Sequence, residues 1–64
     1  MDRTATYLAE CLRKANETVL ARQGVESQLF IEAIANLEAG KRGAKSAARD
    51  YLRGFNRALR KLGK

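Results

Sequence analysis

Lys41, Lys45, Arg49, Arg53, Arg57 and Lys61 recur every four residues through the second half of this chain, with Arg42, Arg60 and Lys64 beside them. Residues four apart share one face of a helix, so the spacing stacks positive charge along one side. Residues 41–64 hold nine Lys/Arg against one acid, Asp50, for a net charge of +8; residues 1–40 hold four Lys/Arg against six acids, for −2. Like charges at that spacing repel by a few tenths of a kcal/mol per pair. The chemistry such a row can do is electrostatic: it can hold phosphates or carboxylates. The plain alternative is a solvated face whose arginine stems cover the edges of a core. The near-absence of neutralising acids favours a binding surface, because Lys/Arg clustered on one face is the electrostatic footprint of nucleic-acid binding.

Other chemistry finds little support. The chain has no histidine and one cysteine. One cysteine without histidine cannot build a zinc site. Gly40-Lys41-Arg42-Gly43 lacks the spacing of a phosphate-binding P-loop. Glu26, Glu32 and Glu38 do not share one helical face, so no acid pair is available for general acid–base work. The sequence therefore predicts a binding protein rather than an enzyme, without cofactor, metal or small-molecule substrate. Cys11 reads as a small hydrophobe at the edge of an apolar stripe, since nothing near it in sequence lowers its pKa. Tyr7, off that stripe, is either a contact anchor or a lone exposed tyrosine. Asn16, between Leu12 and Val19, either fixes the register of a helical interface or reaches water from its boundary.

These residues need helices to position them. Sixty-four residues without proline, rich in Ala, Leu, Arg, Lys and Glu, predict one all-α domain. The first helix spans about 2–22: Asp2 is its N-cap, Leu8, Leu12 and Val19 form its stripe with Ala5 and Ala15, and Gly24 ends it. The second spans about 26–39, with Glu26 at the positive end of its dipole and Phe30, Ile34 and Leu37 inward with Ala33. Gly40 and Gly43 mark a break. The third spans about 44–62, with Leu52, Phe55 and Leu59 on its apolar side, joined by Ala44, Ala48, Tyr51 and Leu62, and the arginines opposite. The stripes of the second and third helices keep one phase across the break, so a hairpin with one long second arm from about 26 to 62 stands as the alternative. A core this small gives only a few kcal/mol, and a long arm would need another chain to cover it, so a homodimer is expected.

Three partners compete. The first is duplex DNA, bound by a small regulator; Phe55 and Tyr51 lie away from the arginines, so unpaired bases would find no stacking platform. The second is an acidic protein surface, docked by a helical face in the manner of a phage- or mobile-element-type inhibitor. The third is a membrane surface, which the basic amphipathic third helix suits but its lack of tryptophan does not. No apolar run reaches the roughly 20 residues of a membrane span. The N-terminus carries no signal-peptide pattern, and the single cysteine suits a reducing compartment, so a cytoplasmic location is expected.

Overall fold

Among residues 2–63, which the computed structural model describes, the chain forms three helices: α1 (Arg3–Gln23), α2 (Gln28–Glu38) and α3 (Ala44–Leu62). Each boundary has a local cause. The Asp2 carboxylate accepts from the Ala5 N–H at 2.7 Å and starts α1, while Gly24, at φ +77°, ends it in the left-handed region. The second helix begins two residues later than the sequence predicts. Ser27 is the N-cap, its hydroxyl accepting from the Phe30 N–H at 3.3 Å, so Glu26 lies outside the helix instead of on its first turn. A hydroxyl one residue before the helix satisfies an orphan donor directly, which a carboxylate farther back cannot do.

The glycine pair is a turn. Gly40 and Gly43 take φ values of +72° and +82°, a region that any side chain disfavours. The backbone reverses there, and the long-arm hairpin is not formed. The shared phase of the two stripes is accidental, since phase along one helix axis has no meaning once the axis turns back.

Lys45, at the start of α3, pairs with Asp2 at the start of α1. Phe55, late in α3, meets Phe30 on the first turn of α2, edge to face at 5.7 Å and 84°. Thus α3 runs alongside α1 and against α2. Its 19 residues make a rod of about 28 Å, too long to lie across a molecule of 35 × 20 × 15 Å except along its length.

The core contains Ala5, Leu8, Ala9, Leu12 and Ala15 from α1, Phe30, Ala33 and Leu37 from α2, and only Ala44 and Ala48 from α3. Leu12 is fully enclosed. Val19, Ile34, Tyr51, Leu52 and Phe55 pack around this centre half-buried, and Leu59 is half-buried as well. Leu62, placed on the apolar side by its spacing, is 67% exposed, one turn beyond Leu59, the last half-buried residue of α3. Asn16 lies half-buried at the boundary of the α1 stripe. Its Oδ1 accepts from the Ser27 N–H at 2.7 Å and ties the α1–α2 connection to the middle of α1.

Candidate functional site

The row of cations sits on α3 and on the turn before it. Lys41 and Arg42 are exposed on the turn; Lys45, Arg49, Arg53, Arg57, Arg60 and Lys61 are exposed on the helix; Lys64 lies outside the described residues. A four-residue step advances about 40° around an α-helix, so the ladder winds as it climbs instead of holding one line. Its first rung on the helix, Lys45, turns to α1 and pairs with Asp2. That lysine's hydrogen bond, with the one from the Ala5 N–H, holds the Asp2 carboxyl below its ordinary value. The only other ion pair among the described residues joins Arg13 to Glu38 at 2.9 Å, between α1 and α2. So of the eight described cations from Lys41 onward, Lys45 alone has an acidic partner. Arg49, Arg60, Arg53, Arg57 and Lys61 fan across an arc of about 120° on the outer side of α3.

The winding has a second effect. Arg49 and Arg53 are not simply opposite the apolar stripe, as the spacing suggested; both border a groove between α1 and α3. The groove encloses about 570 Å³. Its walls include Leu8, Ala15, Leu52 and Phe55, with Tyr7, Cys11 and Thr18 along the α1 side. Lys14 stands on that side too, facing the two arginines, and no acid lines the groove. Sequence reasoning missed this assembly because it weighed Tyr7 and Cys11 one at a time and left Lys14 aside. The available signal was their spacing: with Thr18 they follow a four-three-four step that marks one flank of a helix.

A second hollow of about 560 Å³ lies over the α2–α3 turn, where Lys41, Arg42, Lys45 and Arg49 surround Asp2 and Glu38. Here the acids partly offset the cations, so the turn is the weaker of the two positive regions. The candidate core residues behave as scaffold: Leu8, Leu12, Phe30 and Leu37 are buried, and Val19, Ile34, Leu52, Phe55 and Leu59 are half-buried. No group of His, Cys, Asp and Glu among the described residues could hold a metal ion. No described helix is long and apolar enough to cross a membrane.

The chain matches no protein-family model, no curated protein and no solved structure.

Proposed function

We propose that this chain is a small DNA-binding regulator that lays the outer side of α3 along duplex phosphates. One observation carries the reading: five cations, Arg49, Arg53, Arg57, Arg60 and Lys61, are exposed across one arc of α3 with no acidic partner among the described residues. Phosphate contacts from Lys and Arg supply affinity by releasing condensed counterions, and they need no particular base. The aromatic residues of α3 favour a duplex over a single strand. Phe55 is engaged with Phe30, and Tyr51 packs on the core, so neither offers a free ring for an unpaired base. The proposal is binding without catalysis. A homodimer belongs to the same reading, since two copies of α3 would double the charge presented to the duplex.

The test is fluorescence anisotropy with a labelled duplex of about 20 base pairs and its separate strands, read across salt concentration. Preference for the duplex, with affinity falling steeply as salt rises, is the expected result. Absence of binding at low salt would refute the reading.

A further inference from the structure

The α1–α3 groove has a feature that the phosphate reading does not use. Its floor is apolar, from Leu8, Ala15, Leu52 and Phe55, while its rim is cationic on both sides, with Lys14 on α1 and Arg49 and Arg53 on α3. Phosphates would engage the rim and leave the floor wet. We propose that this groove binds a partner protein through one amphipathic helix whose apolar stripe is flanked by Asp or Glu on both sides.

The geometry follows from the bundle. The two groove walls run alongside each other, and α2 covers their other side, so a helix in the groove takes the vacant fourth position of a four-helix bundle. Such a ligand offers apolar anchors at i, i+3 or i+4, and i+7, the pattern of helix-in-groove recognition. The groove spans Tyr7 to Thr18 along α1, about three helical turns, enough for those anchors. Tyr7 is 65% exposed at one end, and a tyrosine there can close over the ligand at little entropic cost. The rim selects charge: acids on both flanks of the ligand meet Lys14 on one side and the arginines on the other, whereas a basic helix is repelled.

The occupant is a foreign chain and not a second copy. In this protein the apolar stripes of α1 and α2 are turned into the core, and α3 is flanked by cations. None of its helices presents an exposed apolar stripe between acids. Its net charge of +6 also sets two copies against each other at a cationic rim.

The experiment uses a labelled synthetic helix of about 18 residues, with leucines at the anchor spacing and glutamates on both flanks, and a twin with lysines in place of the glutamates. Both are titrated against the full chain, beside the duplex DNA. The glutamate helix should bind and the lysine helix should not. Two substitutions on exposed α1 positions, Lys14→Glu and Tyr7→Ala, should each weaken the glutamate helix about tenfold or more and leave duplex affinity within about threefold. Replacing Arg57, Arg60 and Lys61 with Gln should do the reverse. Circular dichroism on every variant separates lost binding from lost fold. Equal binding of the two helices, no binding of either, or indifference to both Lys14→Glu and Tyr7→Ala in folded protein would overturn the groove proposal. Failure of duplex binding alone would overturn only the DNA reading.

Discussion

Replacing Arg49, Arg53, Arg57 and Arg60 together with Gln tests the outer face of α3 most directly. The arc holds five exposed cations without partners, so at most five phosphates are neutralised by one face. At about 0.9 counterion per contact, log affinity should fall with log salt at a slope of about −4.5, which is about 500-fold between 50 and 200 mM. The variant keeps Lys61, so its slope should shrink to about −1 and its loss over the same range to about fourfold. The fold should survive, because all four side chains are exposed and contribute nothing buried to the core. Helicity should rise slightly, since the Arg49–Arg53 and Arg53–Arg57 pairs each repel by a few tenths of a kcal/mol. The assay is anisotropy with a labelled duplex at several salt concentrations, with circular dichroism on parent and variant. An unchanged slope at unchanged helicity would refute the argument and leave the ladder a solvated face. A collapse of helicity would show that the arginine stems support the core.

Gly40→Ala and Gly43→Ala should each destabilise by about 1 kcal/mol in urea titrations, because an added Cβ meets open space but a left-handed backbone; the same changes inside a continuous helix would stabilise by a similar amount, so the sign of the shift decides between turn and long arm. Leu12→Ala, at the one large fully enclosed side chain, should cost about 2–5 kcal/mol, a large share of the stability of so short a chain, seen as a lower urea midpoint. The folded-state pKa of Asp2 lies below its model-peptide value of 3.8, so the stability it contributes is present above that value and lost as pH falls through the lower folded one; Asp2→Asn should lower the melting temperature near neutral pH and match the parent in strong acid, and an equal gap at both would show that the charge is not the cause. Leu20, Val25, Leu29 and Leu62 are exposed apolar residues toward the end of the molecule where α1 meets α2 and α3 terminates; if they carry the proposed homodimer, Leu29→Glu with Leu62→Glu should shift the light-scattering mass from two chains to one, and a parent mass of one chain, 7.1 kDa, would remove the dimer.

Much of the scaffold was legible because local signals and burial agree. Asp2 and Gly24 bound α1 as their side chain and backbone freedom require. Leu8, Leu12, Phe30 and Leu37 are inward because three-four spacing and hydrophobicity point the same way. The errors arose where tertiary context decides. Ser27 outcompeted Glu26 for the start of α2 because the cap depends on backbone geometry one residue away, which charge placement alone does not reveal. Leu62 carries the right period but is exposed in the last turn of α3, and periodicity is silent about where along a helix burial stops. Asn16 stood open between two roles because its partner, the Ser27 N–H, comes from a connection eleven residues on. The cations were visible as a group, but their division was not. Only the placement of α1 beside α3 shows that Lys45 is spent on Asp2 and that Arg49 and Arg53 share a rim with Lys14.

The exposed last turn of α3 has a dynamic consequence. After the half-buried Leu59, no described residue of the helix is buried, yet Arg60 and Lys61 stand there. The backbone amides of that last turn can open without disturbing the core, so they should exchange with deuterium far sooner than those around Leu12. A polyanion laid along the helix would hold the turn shut and slow that exchange. Part of the association free energy would then be spent on ordering these residues, so adding a helix-stabilising cap after Leu62 should tighten binding without adding a single contact.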